Sequence, residues 1–245
     1  MAFSLSNKTI VLTGGTSGIG HALVEKLHSN NKLIIIGRSA KKFETLRAEF
    51  PTITVVIADL ADTQNLAPMA KKVIQQSPKI DLLINNAALQ YTPQYTDTDF
   101  RVETIAEEIT VNFTSPCMLV ALLLPGLLKD TPSVILNVNS GLGLVAKKTS
   151  AVYCGTKGGL NIFTQSLRHQ LASTNIHVQQ AFMPLVDTPM THGRGAAKIT
   201  AAAAASRILK GIEKYVPDHD IGIVKFLRVL HQIWPAAARN IMKNG

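Results

Sequence analysis

The sequence Thr13-Gly14-Gly15-Thr16-Ser17-Gly18-Ile19-Gly20 stands near the start of the chain. It follows an apolar run of strand length, residues 9–13, and precedes a helical pattern that continues to Leu27. Glycines at such a junction permit positive φ values and let a pyrophosphate approach the backbone, while the following helix N-terminus points N–H groups at that anion. This order therefore predicts a dinucleotide-binding crossover at the beginning of a parallel sheet.

The same alternation of strand and helix patterns continues through almost the whole chain. We predict strands at residues 9–13, 33–36, 53–57, 81–84, 134–138, 176–182 and, shorter, 220–224, with the longest helices near residues 99–124 and 151–173. The pattern predicts a single doubly wound α/β domain of the Rossmann type spanning residues 1–245. Its parallel sheet would have about seven strands in the order 3-2-1-4-5-6-7, with helices on both faces.

The composition and charge of the chain argue against several classes of protein. Of the 245 residues, 46% are hydrophobic and 17% are charged, which suits a folded domain with a large core. The net charge is +9, but Lys and Arg are spread singly or in pairs, a pattern that is not typical of nucleic-acid binding. We therefore expect no nucleic-acid partner, and we expect the positive charge to favour an anionic, phosphate-bearing cofactor.

The cysteines and the apolar segments indicate in which cellular compartment the protein is expected. Cys117 and Cys154 define neither a disulfide framework nor a metal-ligand cluster, so we predict reduced thiols and no metal site. Residues 1–8 lack the features of a signal peptide. The longest apolar stretch, residues 117–128, is interrupted by Pro125 and Gly126 and is too short to span a bilayer. We expect a soluble cytoplasmic protein without a transmembrane segment.

The end of the second predicted strand indicates which dinucleotide binds. No carboxylate occurs between Glu25 and Glu44, so the acid that would bind the ribose 2′-hydroxyl of NAD has no candidate there. Arg38 follows the strand directly and could bind a 2′-phosphate through two charge-assisted hydrogen bonds. A solvated surface arginine is the alternative. The sequence favours NADP(H) over NAD(H).

Tyr153 and Lys157 stand four residues apart at the start of a helical pattern, so both side chains fall on one helix face. A phenol has a pKa of about 10, and a neighbouring ammonium lowers that pKa, which would make Tyr153 a general acid–base. Ser140 ends the fifth predicted strand, and Asn112 lies within the long central helix. Each could equally be structural, Ser140 bonding a loop and Asn112 a buried water.

Taken in order, these motifs resemble short-chain dehydrogenase/reductases of the classical type over residues 5–190. The shared marks are Thr13-Gly14-x-x-x-Gly18-x-Gly20, Asp59-Leu60, Asn85-Asn86-Ala87-Ala88, Asn112, Ser140, Tyr153-x-x-x-Lys157, and Pro184 followed by Val186-x-Thr188. The sequences Gly14-Gly15-Thr16-Ser17-Gly18 and Val152-Tyr153-Cys154 are similar to the bacterial DltE-like branch. The resemblance implies hydride transfer between NADP(H) and a small carbonyl or alcohol substrate, in a homodimer or homotetramer.

The resemblance also implies a role for each site residue. Tyr153 would exchange the substrate proton, Ser140 would bind the carbonyl oxygen, Lys157 would hold the nicotinamide ribose and lower the pKa of Tyr153, and Asn112 would hold a helix kink and a relay water. The remaining cofactor contacts would be the turn residues Gly14, Thr16, Ser17, Gly18, Ile19 and Gly20, then Arg38, then Asp59 and Leu60 at adenine, Asn85 and Ala87 at the adjoining ribose, and Val186 and Thr188 at the carboxamide.

The substrate side is less well defined by sequence. Residues 187–215 would form a lid, and Leu89 to Tyr91 and Gly141 to Val145 would line the pocket. His192 or Arg194 would attract an acidic substrate, or else the loop carries only solvated charge. Leu185 follows Pro184 where the family usually has glycine, and a positive φ there would cost leucine about 1–2 kcal/mol.

The C-terminal segment, residues 221–245, has a basic amphipathic pattern. Its apolar positions are Ile223, Leu227, Leu230 and Trp234, and its polar positions are Lys225, Arg228 and Gln232. Such a helix could make a peripheral contact with an anionic membrane, or it could pack against a partner subunit or its own domain. Pro235 would kink or end it.

Three functions are consistent with these patterns. The first is an NADP(H)-dependent carbonyl reductase or alcohol dehydrogenase. The second is a non-catalytic NADP(H) sensor or scaffold of the same fold, which would be expected to lack part of the Asn112, Ser140, Tyr153 and Lys157 set. The third is lyase or epimerase chemistry on nucleotide sugars, which needs a larger C-terminal substrate domain than the residues after Thr188 provide.

Overall fold

A parallel sheet forms the centre of the computed structural model, which describes residues 2–195 and 197–243. The strands in this part of the chain are β1 (Thr9–Thr13), β2 (Lys32–Gly37), β3 (Thr54–Ile57), β4 (Leu82–Asn85), β5 (Ser133–Ser140), β6 (Ile176–Met183), β7 (Val186–Asp187), β8 (Ile199–Thr200) and β9 (Asp218–Asp220). Seven of them pair in the order β3-β2-β1-β4-β5-β6-β9, all parallel. The predicted fold class and strand order are confirmed. The predicted domain limits 1 and 245, and residue 196 of the predicted lid, lie outside the described residues.

Helices cover both faces of this sheet. They are α1 (Gly18–Leu27), α2 (Ala40–Glu49), α3 (Leu66–Gln76), α4 (Glu103–Ile109), α5 (Ser115–Leu127), α6 (Ala151–Gln170), α7 (Ala201–Glu213), α8 (Val224–Ile233) and α9 (Pro235–Lys243). Alternate residues of β1 point to opposite faces of the sheet. Ile10 and Leu12 pack in a core that includes residues of α1 and α7, whereas Val11 packs with residues of α3 and α5. Burial on both faces explains why the strands read as continuous apolar runs.

The last strand of the sheet lies two to four residues earlier than predicted. β9 is Asp218–Asp220, because Gly222 adopts a φ of +61° and turns the chain into α8. The strand is polar, and its carboxylates have partners on other elements: Arg168 binds Asp218, and Arg228 binds Asp220. Hydropathy alone could not show a strand of this kind. The small parallel pair β7–β8 was not predicted either.

The helix that follows β4 is longer than its apolar stretch suggests. Residues Glu103–Leu127 form 25 continuous helical residues whose most apolar window has a mean hydropathy of 1.5 and is 44% buried, so by length and composition this helix could cross a bilayer. The long helix predicted near residues 99–124 is thus present, whereas the expectation that no segment spans a bilayer considered only the apolar stretch 117–128. α5 packs against β4, β5 and α3, which is the place of a core helix on a parallel sheet.

Candidate active site

The glycine turn brings three loops together at the carboxyl edge of the sheet. Gly14 and Gly18 have φ values of +73° and +54°, which L side chains rarely adopt. A Cβ atom would also lie 2.9 Å from the Ala87 Cα atom at Gly14 and 2.8 Å from the Thr188 Cγ2 atom at Gly18. The backbone at Gly14 therefore lies so close to the loop after β4 that a side chain at this position would not fit. The same holds for Gly18 and the loop after β7.

Two polar residues that the sequence analysis did not assign to the site hold this turn. The Thr13 Oγ1 atom accepts hydrogen bonds from the backbone N–H groups of Asn86 and Ala87, each at 3.0 Å. The Asn86 side-chain amide donates to the carbonyl oxygens of Thr13 and Gly14, also at 3.0 Å. The signal available in the sequence was the Asn86 amide directly after β4, opposite a strand that ends in threonine.

The start of α1 has the features of an anion site. It carries no acidic residue in its first turn, and the side chain of Ser17, which precedes it, makes no capping hydrogen bond. A Cβ atom at Gly20 would lie 1.9 Å from the Gly14 carbonyl oxygen, so only glycine fits there. Thr16 is partly exposed and Ser17 exposed at the same turn. This arrangement fits a pyrophosphate, since the first N–H groups of a helix have no partner within the helix.

Arg38 lies at the end of β2 between two carboxylates from elsewhere in the chain. Its Nη1 atom is 3.9 Å from the Asp59 Oδ2 atom and 3.6 Å from the Glu107 Oε1 atom, and its side chain is 57% exposed. Glu107 also accepts a hydrogen bond from the Tyr91 hydroxyl at 2.6 Å. The sequence analysis excluded a carboxylate only between Glu25 and Glu44, and the structure brings Asp59 and Glu107 to Arg38 from other segments.

Leu60 and Asn85, which were predicted to contact the adenine and the adjoining ribose, differ in their hydrogen bonding. Leu60 is buried and its carbonyl oxygen accepts a hydrogen bond from the Ser115 hydroxyl. The Asn85 amide nitrogen donates to the Asn137 Oδ1 atom at 2.9 Å in the core, so this nitrogen is already engaged. The Asn85 Oδ1 atom, in contrast, has no hydrogen-bond partner among the described residues. It is a buried acceptor at the end of β4.

Tyr153 and Lys157 lie together on α6, as their spacing predicted. Both are buried, and the Lys157 Nζ atom is 5.6 Å from the centre of the Tyr153 ring. The same ammonium donates a hydrogen bond to the carbonyl oxygen of Val138 in β5 at 2.8 Å. α6 packs on β5, and this packing places the pair beside the end of the strand that carries Ser140.

Ser140 is held at the end of β5, where its side chain also interacts with the Tyr153 phenol. Its Oγ atom accepts a hydrogen bond from the Leu142 N–H group at 3.1 Å, and its own N–H group donates to the Asn139 Oδ1 atom at 2.8 Å. Asn139 is anchored in turn by Gln180 at 3.0 Å. Because a hydroxyl has one donor and two acceptor positions, Ser140 can still donate to a substrate oxygen.

Asn112 lies in a π-helical stretch, Thr110–Thr114, between α4 and α5. Its side chain accepts from the Leu89 N–H group and donates to the Leu89 carbonyl oxygen, both at 2.8 Å. It also donates to the Thr156 hydroxyl at 3.3 Å. The residue therefore ties the predicted pocket loop after β4 to the helix that carries Tyr153.

The pKa values of the pair differ from the expectation drawn from the sequence. Burial raises the pKa of Tyr153 to about 12, and the nearby Ser140 side chain only partly opposes this shift. Burial lowers the pKa of Lys157 to about 8. The prediction that Lys157 lowers the pKa of Tyr153 does not describe this state of the protein, because desolvation is the largest effect and the ammonium bonds Val138.

A buried carboxyl near the pair was missed by the sequence analysis. Glu108 on α4 is 2% exposed and accepts a hydrogen bond from the Tyr91 N–H group at 3.1 Å. Burial raises the pKa of Glu108 to about 7, and its charge contributes to the raised pKa of Tyr153. Glu108 thus connects the Leu89–Tyr91 loop electrostatically with the phenol.

The segment after β6 tolerates Leu185 without strain. In the described part of the chain, positive φ values at residues other than glycine occur only at Asn7, Ser150 and Tyr215. The Leu185 carbonyl oxygen accepts the Ile199 N–H group at 3.2 Å, beside the β7–β8 pair. Its side chain lies against Gly195, where a Cβ atom would be 2.5 Å from the Leu185 Cδ2 atom. The expected cost of leucine at this position does not arise.

Comparisons with known proteins agree with this geometry. A family model described as short chain dehydrogenase matches residues 8–198. The uncharacterized oxidoreductase DltE of Bacillus subtilis (strain 168) is 33% identical over 185 residues, which cover 75% of this chain and 73% of that protein. An uncharacterized oxidoreductase of Staphylococcus epidermidis is 34% identical over 191 residues, covering 77% of this chain and 82% of that protein.

Solved structures with the same fold include complexes with both dinucleotides. A short chain dehydrogenase from Burkholderia cenocepacia J2315 in complex with NADP has a TM-score of 0.88 at 22% identity, covering 99% of this chain and 100% of that one. A short chain dehydrogenase/reductase from Burkholderia phymatum in complex with NAD has a TM-score of 0.83 at 20% identity, covering 99% and 97%. At these identities the likeness shows the fold.

Proposed function

Because this chain belongs to the short-chain dehydrogenase family, in its DltE-like branch, we propose that it is an NADP(H)-dependent oxidoreductase. It transfers a hydride between NADP(H) and a carbonyl or secondary alcohol, with Tyr153 as general acid–base. The observation that carries the proposal is the buried Tyr153–Lys157 pair beside Ser140, at the sheet edge where the glycine turn also ends.

The cofactor site is assigned to the backbone of the glycine turn and the loops that meet it. The first turn of α1 would hold the pyrophosphate, with Ala87, Val186 and Thr188 further along the crevice. Lys157 would exchange the Val138 carbonyl for the ribose hydroxyls of the nicotinamide half. When bound, the nicotinamide supplies or accepts the hydride at the substrate carbon.

Proton transfer in the reducing direction follows from the state of Tyr153. With a pKa of about 12, the phenol keeps its proton at neutral pH and can donate it to the carbonyl oxygen of the substrate. Ser140 donates a hydrogen bond to the same oxygen while negative charge develops on it. Asn112 holds the Leu89 loop against α6, so that the pocket wall and the phenol keep a constant distance.

The preference for NADP(H) is proposed from Arg38. Its guanidinium is more than half exposed at the end of β2, with exposed Lys41 and Lys42 in the first turn of the next helix. A 2′-phosphate carries more negative charge than either neighbouring carboxylate, and it would draw Arg38 away from Asp59 and Glu107. The ion-pair distances of 3.9 and 3.6 Å indicate weak contacts that a bidentate phosphate bond can replace.

Several further assignments belong to the same proposal. A substrate lid was predicted over residues 187–215, but Ile208 and Ile212 of α7 are buried in the same core as β1, so the proposed lid is the segment before α7. In that segment, the charge of Arg194 lowers the pKa of Tyr153 and of Lys147, which supports its place near the catalytic groups. The protein is cytoplasmic and assembles as a homodimer or homotetramer. Light scattering of the purified protein tests the assembly.

The experiment that tests the function is a titration of the full-length protein with NADPH and NADH, followed by carbonyl-dependent oxidation of NADPH over a panel of aldehydes and ketones. We expect tighter binding of NADPH and turnover of at least one carbonyl class. Binding of NADPH without turnover on any carbonyl, and without the reverse reaction on secondary alcohols, would favour the alternative of a non-catalytic sensor or scaffold.

A further inference from the structure

Helix α8 has two apolar faces, and the domain covers one of them. Val224 and Leu227 are buried, and Leu227 packs with Val145 and Ala238 in a small separate cluster. Val145 belongs to the loop that follows Ser140, so this cluster joins α8 and α9 to the edge of the active site. Of the alternatives that the sequence left open, packing on its own domain holds for this face.

The second face of α8 remains in contact with water. Phe226, Val229 and Ile233 are spaced by three and four residues, which places them on a common side of the helix, and they are 60%, 52% and 79% exposed. Ile223 before the helix and Trp234 after it are 67% and 64% exposed, although the sequence pattern had grouped both with Leu227 on one apolar face. We call Ile223, Phe226, Val229, Ile233 and Trp234 the outer apolar face.

The charges that accompany this face have one sign. Residues 221–245 contain four Lys and Arg and no Asp or Glu. Arg228 is held by Asp220 through two short contacts, whereas Lys225, Arg239 and Lys243 are exposed. An exposed apolar strip flanked by cations is the pattern of helices that lie in the interface of an anionic bilayer.

A basic cavity of about 390 Å³ opens next to the same helices. Its charged and titratable lining, among the described residues, consists of Lys147, Lys148, His231, Arg239 and Lys243. The backbone N–H group of Lys148 donates to the Lys243 carbonyl oxygen at 3.2 Å, so the cavity is closed on one side by a contact between loop and helix. Burial, and after it the charge of Arg194, lowers the pKa of Lys147.

We propose that the outer apolar face docks on an anionic membrane surface, with lipid phosphate groups entering the basic cavity. A second copy of the chain is the competing occupant. In a twofold dimer, however, this face would meet itself and bring its cationic borders together, which opposes association. An anionic bilayer can bind both the outer apolar face and the basic cavity. Its apolar interior accepts Phe226 and Ile233, and its head groups pair with the cations. The proposal does not depend on hydride transfer.

Trp234 allows a direct test, because it is the only tryptophan in the chain and lies at the end of the outer apolar face. We expect its fluorescence emission to shift to shorter wavelength when phosphatidylglycerol vesicles are added to the full-length protein, and to be quenched by brominated lipid. Vesicles of phosphatidylcholine alone should produce neither effect. Added salt should reverse the binding, since screening weakens the attraction between exposed cations and anionic lipid.

Variants separate the two parts of the surface. Phe226→Ser and Ile233→Ser should each weaken co-sedimentation with phosphatidylglycerol vesicles by about tenfold or more, because each removes a large apolar group from the bilayer. Lys148→Gln and Arg239→Gln should each weaken it by about fivefold. Val102→Ser is the matched control, since Val102 is apolar and 71% exposed but lies before α4, and it should bind as the parent does.

Three results would overturn the proposal. The first is equal binding to neutral and anionic vesicles, or no binding to either. The second is a change of assembly, in which Phe226→Ser converts an oligomer to a monomer by light scattering and leaves lipid binding unchanged. The third is saturation of the cavity by inorganic phosphate, detected calorimetrically, without any recruitment to vesicles.

Discussion

The two ends of the crevice differ in how far their charged groups are removed from water. At the catalytic end, Tyr153 and Lys157 are 9% and 3% exposed, and burial raises the pKa of Tyr153 to about 12 and lowers the pKa of Lys157 to about 8. At the other end, the side chains of Arg38 and Asp59 are 57% and 43% exposed and only loosely paired. Desolvation strengthens electrostatic effects at the first end, while solvent screens them at the second. Substitutions should therefore have large effects near Tyr153 and modest ones near Arg38.

The largest expected effect is at Tyr153. Tyr153→Phe removes the proton donor while keeping the buried ring, so kcat for carbonyl reduction should fall by about 10²- to 10⁴-fold with NADPH affinity preserved. Steady-state kinetics and a fluorescence titration of NADPH measure the two quantities. An unchanged kcat in a folded variant would rule out the proposed general acid.

Ser140 should be next. Ser140→Ala removes the hydroxyl donor at the developing oxyanion and should lower kcat by about 10²- to 10³-fold. Ser140→Thr keeps the hydroxyl and serves as the matched control. If both variants lose activity together with thermal stability, the contribution of Ser140 is the hydrogen bond it accepts from Leu142 and not catalysis.

The exposed end should respond more weakly and only for one dinucleotide. Arg38→Gln should raise the Kd of NADPH by about 10- to 100-fold, the value of one or two hydrogen bonds to a charged group, and leave the Kd of NADH nearly unchanged. Isothermal titration with both dinucleotides checks this. An equal increase in the Kd values of NADPH and NADH would show that Arg38 does not bind the 2′-phosphate.

The pH dependence of kcat/KM for the cofactor tests the buried, catalytic end of the crevice through Lys157. Since burial lowers the pKa of Lys157 to about 8, the ammonium becomes neutral above that pH, and kcat/KM for the cofactor, which reports the free enzyme, should decline there by up to about tenfold per pH unit. The pKa of Tyr153, at about 12, lies outside the measured range. A profile flat to pH 10 would contradict the assignment of Lys157 as a cofactor-binding cation.

The smallest expected effect is at Glu107. Its carboxylate lies 3.6 Å from Arg38 and competes with a phosphate for the guanidinium. Glu107→Gln should therefore tighten NADPH binding by only a few-fold, because pairs this exposed contribute about 1 kcal/mol or less. Weaker NADPH binding in this variant would mean that Glu107 orients Arg38 and does not compete with the cofactor.

Local patterns predicted the sheet because its strands are buried on both faces and read as apolar runs, and because right-handed crossovers leave few ways to order them. The same reasoning found the Tyr153–Lys157 helix face and the placement of Ser140 at the end of β5. It placed β9 two to four residues too late, because this strand is polar: Asp218 pairs with Arg168, which lies 50 residues earlier, and Asp220 pairs with Arg228 in the next helix. Hydropathy does not mark a strand whose residues are held by ion pairs.

The amino-acid sequence by itself determined the doubly wound sheet, the glycine turn and the helix that carries the proposed acid, since each depends on the periodicity and conformational freedom of neighbouring residues. Only the tertiary structure decided the directions in which the pKa values of Tyr153 and Lys157 shift, which carboxylates lie near Arg38, and which side of α8 is exposed. These properties depend on which groups from remote segments exclude water from a site, and burial of that kind is set by the packing of the whole chain.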